Sequence, residues 1–215
     1  MIPNPYLGKF FAFEGPDGCG KSIQIQKTYN WLSSTFKAVV KTKEPNKNGE
    51  WGSRIYEELN KQSGLHISDS FGFQRWYACD SKINVRKEVI PRLRAGCTIL
   101  SDRYRPSLCY GAKNKDDIRK LMIMNERIIG EDFIWPDAVL IFNVDTETCI
   151  ERLRKKGRKL DEYEKLEILK RVRDNYLDFA TMYRNCYVID GMQSENQVFE
   201  SVKSVLSKVM NTQMT

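Results

Sequence analysis

The chain has 215 residues, 41% hydrophobic and 29% charged, which is one domain's worth of sequence with enough apolar surface to bury a core. Aromatics at 11% exclude a disordered chain, and the longest apolar run of the sheet-like segments, residues 138–142, falls far short of the roughly 18 residues a membrane crossing needs. Lys and Arg number 35 against 28 Asp and Glu, and this net charge of +7 suits a partner bearing negative charge, phosphate being the simplest.

Residues 1–5 carry no basic stretch followed by an apolar one, so no secretory leader is expected. The first β-like run is 9–14 (KFFAFE), and Ile25, Tyr29, Leu32 and Phe36 mark one face of the helix that follows. Between them stand Gly15, Pro16, Asp17, Gly18, Cys19, Gly20, Lys21 and Ser22, which fit G-x-x-x-x-G-K-[ST]. Its place between an apolar strand and an amphipathic helix is the context that gives this pattern meaning. Glycines let backbone N–H groups curl around phosphate oxygens, and the helix turns its positive end to the same anion. Lys21 is then expected to reach the β- and γ-phosphates, with the Ser22 hydroxyl on Mg²⁺. A nucleoside triphosphate site is the reading.

A second run spans 38–43 (AVVKTK) and a third 97–102 (CTILSD). Asp102 ends the third run, where it can hold Mg²⁺ directly or through water, and Arg103 beside it suits a second phosphorylated molecule. Asn114, Lys115, Asp116 and Asp117 have the letters of a guanine-reading N-K-x-D, the mark of a nucleotide switch. No apolar strand precedes them, so the match is read as coincidence. Residues 135–137 read as a turn into the fourth run, 138–145 (AVLIFNVD).

The stretch 152–159 is basic at all but two positions and has no interleaved aromatics, which argues against nucleic acid. A basic, glycine-hinged segment between two helices is instead what a closing lid requires, here about residues 150–162. A capping box, Asp161 with Glu164, opens a helix striped by Leu166, Leu169, Val172, Tyr176, Phe179 and Tyr183. The fifth run is 187–190 (YVID), and Val198, Val202, Val205 and Val209 stripe the last helix.

Strands alternating with helices imply a three-layer α/β domain over 1–215: a five-stranded parallel sheet, its strands buried on both faces, helices on each side, and the small basic lid. Ligands of such sheets bind beyond the carboxyl ends of the strands. Cysteines 19, 79, 97, 109, 149 and 186 form no C-x-x-C pair, and His66, in a polar connection, is the only histidine and is expected to be solvated. Zinc ligands at usable spacing and a disulfide framework are both excluded, leaving reduced thiols in a cytoplasmic compartment as the expectation.

Together the GPDGCGKS loop, Lys43-Glu44-Pro45, Tyr77-Ala-Cys-Asp80, Asp102-Arg103-Tyr104 and the basic lid before Arg171-Val-Arg-Asp-Asn-Tyr176 resemble the thymidylate kinase family through nearly the whole chain. The resemblance implies a P-loop kinase that moves phosphate from ATP to a deoxynucleoside monophosphate, dTMP above others. Asp17 would approach the acceptor sugar's 3′-hydroxyl, Tyr77 would stack on the base, Arg103 would bind the acceptor phosphate, and Tyr110 would crowd the 2′ position. Lys43 stands in the family's Arg slot, and Ser81 stands where an Arg would contact the base. Ser81 shares a helical face with Tyr77 but is too short to reach as far, which leaves other pyrimidine nucleotides, or a deoxynucleoside, open as acceptor. The phosphate loop lacks an Arg at its variable positions, so the catalytic Arg is expected in the lid: Arg158 first, with Arg152 and Arg154 behind it on ATP. The implied partners are small-molecule nucleotides and a second copy of the chain, with no nucleic acid and no membrane.

Overall fold

A computed structural model describes residues 2–35, 38–61, 64–155, 157 and 166–211. Its main sheet has five parallel strands in the order β3-β4-β2-β6-β7. These are β2 (Phe10–Glu14), β3 (Val39–Lys43), β4 (Thr98–Asp102), β6 (Ala138–Asn143) and β7 (Cys186–Asp190). Two residues at each of two further places, β1 (Ile2–Pro3) and β5 (Ile134–Trp135), pair as a small parallel ribbon. Trp135 therefore belongs to a strand rather than to the expected turn, with its ring fully buried against Phe179.

The phenylalanines of β2 explain its central place. Side chains alternate along a strand, so Phe10 and Ala12 enter one core and Phe11 and Phe13 the other. Helices α1 (Lys21–Ser33) and α9 (Glu195–Asn211) cover the second face through Ile25, Leu32, Val198 and Val202. The first face is covered by α4 (Ser70–Asn84), α5 (Ile90–Arg94), α6 (Lys115–Ile129) and α8 (Leu166–Met182). Helices α2 (Glu50–Lys61), α3 (Leu65–Ser68) and α7 (Thr146–Lys155) are the remaining α-helices among the described residues. No described helix is long and apolar enough to cross a membrane.

Burial on both faces holds for β2, β4 and β6 but not for β3 and β7, which are half-exposed. These two are the sheet edges, where Lys41 and Lys43 stand in water and discourage further pairing. The fourth run ends at Asn143 because Asp145 turns to accept the Thr148 N–H at 2.6 Å, starting α7. His66 is buried in α3 rather than solvated, although its helix neighbour Ile67 is exposed, so tertiary packing and not local composition covers the ring. Phe36 and the Asp161–Glu164 capping box lie outside the described residues.

Asn114 is the N-cap of α6, its side chain accepting the Asp117 N–H at 3.0 Å, while Asp117 accepts from Lys113. The segment follows a 3₁₀ turn (Arg105–Tyr110) instead of a strand. Its four letters thus serve a helix start.

Candidate active site

The phosphate loop leaves the carboxyl end of β2 and enters α1 at Lys21. Gly15, Gly18 and Gly20 all hold positive φ, and a Cβ on Gly18 would come within 2.3 Å of the Cys149 carbonyl. Gly20 caps α1 without a side-chain bond, so the helix presents backbone donors at an end that favours anions. The buried Lys21 ammonium donates to the carbonyls of Gly15 and Pro16 at 2.8 and 2.9 Å and lies 3.7 Å from Cys19 Sγ.

Arg103 follows β4 with φ of 75°, a left-handed backbone that non-glycine residues rarely adopt. Three bonds hold that turn: its N–H to Phe13 O, Ser101 Oγ to its carbonyl, and the Tyr104 N–H to Glu14 Oε1. The reversal sends the guanidinium back to the loop, where Nη2 donates to Asp17 Oδ1 at 2.7 Å and to Tyr110 Oη at 3.0 Å. Nη1 donates to Ser107 and Tyr176 at 3.2 and 3.4 Å. Tyr110 Oη closes the ring by donating to Asp17 Oδ2 and accepting the Asp17 N–H. Burial opposes ionisation of Asp17, but Arg103 and Lys21 outweigh it and hold the carboxyl well below the usual range.

Beneath this ring lies Glu14, fully buried, accepting from Tyr104, Ser107 and Tyr176. Desolvation, only partly offset by Arg103 and these donors, pushes its carboxyl from 4.5 up to about 7. Between those values the folded protein keeps a proton that the unfolded chain has lost. The Glu14 contribution to stability is therefore full below about pH 4.5 and lost as pH rises through about 7. Glu14→Gln, neutral throughout, should remove up to roughly 3 kcal/mol of that pH dependence in urea unfolding between about pH 5 and 8. Identical slopes in wild type and variant would exclude it.

Two cavities meet at the loop. One, about 360 Å³, is lined by Asp17, Lys43, Tyr77, Arg103 and Tyr110, with Tyr56 and Leu59 from α2. The other, about 330 Å³, is lined by Gly18, Cys19 and Gly20 with Arg152, Gly191 and Gln193. Five of the six expected acceptor residues thus share one hollow. The sixth, Ser81, borders a recess of about 30 Å³ that shares Tyr77 and Arg103 with it. Lys43 pairs with Asp102 at 3.4 Å, as their adjacent places on β3 and β4 require. Lys82 points elsewhere, donating to Ile128 O. On α7, Arg152 and Lys155 face the second cavity, whereas Arg154, about 200° around the helix from Arg152, is exposed and does not line it. Arg158 lies outside the described residues.

Sequence reasoning missed Glu14, Arg105 and the polar roles of Glu44, Ser107 and Tyr176. Glu14 had a signal, a carboxylate ending an otherwise apolar run. Tyr176 fitted a core stripe equally well, and its ring is indeed core; only its hydroxyl reaches the site.

The family model described as thymidylate kinase matches residues 13–202. The thymidylate kinase of Thermosipho africanus is 33% identical, the alignment covering 93% of this chain and 98% of that protein. That of Finegoldia magna is 32% identical over 93% and 98%. The crystal structure of thymidylate kinase from Ehrlichia chaffeensis superposes with a TM-score of 0.70 at 25% identity, again over 93% of this chain and 98% of that one. With loop, Arg103 ring and paired cavities in one frame, the chain belongs to the thymidylate kinase family of phosphotransferases.

Proposed function

We propose that the chain transfers the γ-phosphoryl group of ATP to the phosphate of dTMP, giving dTDP and ADP. The observation that carries this is the phosphate loop acting as a partition: Asp17 borders one cavity and Gly18, the next residue, borders the other. Two nucleotides lying one in each would bring their phosphates together over Lys21 and Arg103.

In this reading ATP occupies the Arg152 side, held by the loop from Gly15 to Ser22. Lys21 leaves its loop carbonyls for the β- and γ-phosphates. Arg103 grips the acceptor phosphate through its planar fork, Tyr77 stacks on the base, and Asp17 with Tyr110 meets the sugar. No general base is needed, because the attacking phosphate is ionised near neutral pH. Catalysis is alignment plus cancellation of spreading negative charge. The exposed Ser22 hydroxyl and the Asp102 carboxylate are hard oxygen donors of the kind Mg²⁺ prefers, and bound Mg²⁺ would neutralise charge on the ATP oxygens.

The lid would exclude water that otherwise hydrolyses ATP. Arg158→Ala is expected to slow turnover about a hundredfold with acceptor affinity largely kept; wild-type kcat would remove Arg158 from the mechanism. Six free thiols support a reducing, cytoplasmic setting. A homodimer through helices on one side of the sheet is supported by exposed Ile67, Phe71, Ile83 and Ile123 on α3, α4 and α6.

A coupled ADP-release assay over a panel of nucleosides and monophosphates tests the proposal. ADP released only with dTMP present is the expected result. ADP released with a different pyrimidine nucleotide, or a deoxynucleoside, renames the acceptor. Slow hydrolysis indifferent to any acceptor would favour a nucleotide switch.

A further inference from the structure

Arg105 opens the 3₁₀ turn after Arg103 and is 2% exposed. A guanidinium so deeply buried is costly unless its charge is matched and its donors are used. The charge is matched by Glu44, 3.5 Å away, and Nη1 also donates to Ser81 Oγ. Nη2 donates to Tyr104 Oη at 3.1 Å, and the group lies 4.0 Å from the centre of the Tyr104 ring. Glu44 in turn accepts from Ser81 at 2.6 Å and Asn84 at 2.9 Å. Ser81 is thus a mount between the two charges. Yet Nε of Arg105 is buried and has no hydrogen-bond partner among the described residues.

Arg105 lines the small recess with Tyr77, Ser81, Gln74 and Asn125, and the recess shares Glu44, Tyr77 and Arg103 with the large cavity. About 30 Å³ is the space of one water or one exocyclic oxygen. A guanidinium has donors only and no acceptor. It therefore suits a carbonyl at the edge of an incoming ring and opposes an amino group there.

We propose that Arg105, held rigid by Glu44 and Ser81, is the residue that selects a 4-oxo over a 4-amino pyrimidine in the acceptor cavity. This rests on the proposed function, since it presumes a pyrimidine monophosphate beside Tyr77. The short Ser81 leaves the room in which Arg105 sits, so the base-reading cation is supplied by the turn after β4 instead of by α4.

The test compares kcat/KM for dTMP and for 5-methyl-dCMP, which replaces the 4-carbonyl and N3–H by a 4-amino group and a bare N3. Arg105→Met alone would strand the buried Glu44 charge, so the pair Arg105→Met with Glu44→Gln is measured beside it, and thermal melting reports folding of both. The double variant is expected to lose about 30-fold on dTMP while changing little on 5-methyl-dCMP, collapsing the ratio. Arg105→Lys, which keeps charge without the fork, should fall between. Equal losses on both acceptors, or an unmoved ratio, would overturn the assignment while leaving the kinase reading intact. Wild-type protein that releases ADP with neither acceptor would instead overturn the dTMP reading, and this inference with it.

Discussion

Replacing Arg103 by alanine is expected to lower kcat about a thousandfold while ATP affinity changes less than about threefold. The asymmetry follows from where the side chain lies. Arg103 lines the Asp17 and Tyr77 cavity and is absent from the lining of the Gly18 and Arg152 cleft. Its fork engages Asp17 and Tyr110 with one nitrogen and Ser107 and Tyr176 with the other, so the group is already aimed before any phosphate arrives. Such preorganisation stabilises developing charge without reorganisation during the reaction. The variant also strips Asp17 of its main cation. Arg103→Lys separates the two effects: it restores charge beside Asp17 but offers no fork, and should recover only about tenfold of the lost rate. Initial rates with saturating ATP, together with ATP titration by calorimetry, measure both quantities. Parallel loss of turnover and ATP affinity would contradict the assigned role.

Lys21→Met is expected to cost about a thousandfold in kcat as well, but with ATP binding weakened alongside it. Lys21 donates to two loop carbonyls, and Asp17, whose charge it helps to hold, keeps its bonds from Arg103 and Tyr110, so its removal orphans no anion among the described residues. The folded state should therefore survive, with a melting temperature within a few degrees of wild type, about 1 to 2 kcal/mol of stability being at stake. A variant with normal turnover would mean that the loop binds something other than a reacting phosphate.

The sequence makes the sheet legible because its central strands are short unbroken apolar runs, and periodicity marks the helices that cover them. The edges β3 and β7 were harder, since a run such as VVKTK reads equally as buried or half-exposed until its neighbours are known. The loop was the clearest signal of all, because phosphate binding constrains glycines, lysine and hydroxyl at fixed spacing. What resisted reading were contacts between distant parts. Glu44 and Ser81 are 37 residues apart, and Glu14 and Tyr176 are 162 apart, and no local pattern links them. His66 failed for the same reason, being buried by tertiary packing among residues that look polar in sequence.

A dinucleotide in which adenosine and thymidine are joined 5′ to 5′ through a chain of phosphates would occupy both cavities at once. Measured by calorimetry, it should bind at least about a hundredfold more tightly than ATP or dTMP alone, because the second contact becomes intramolecular. It should lose most of that gain in the Arg103→Ala variant. Affinity no better than that of ATP, unaffected by Arg103, would contradict a loop that brings two nucleotides together.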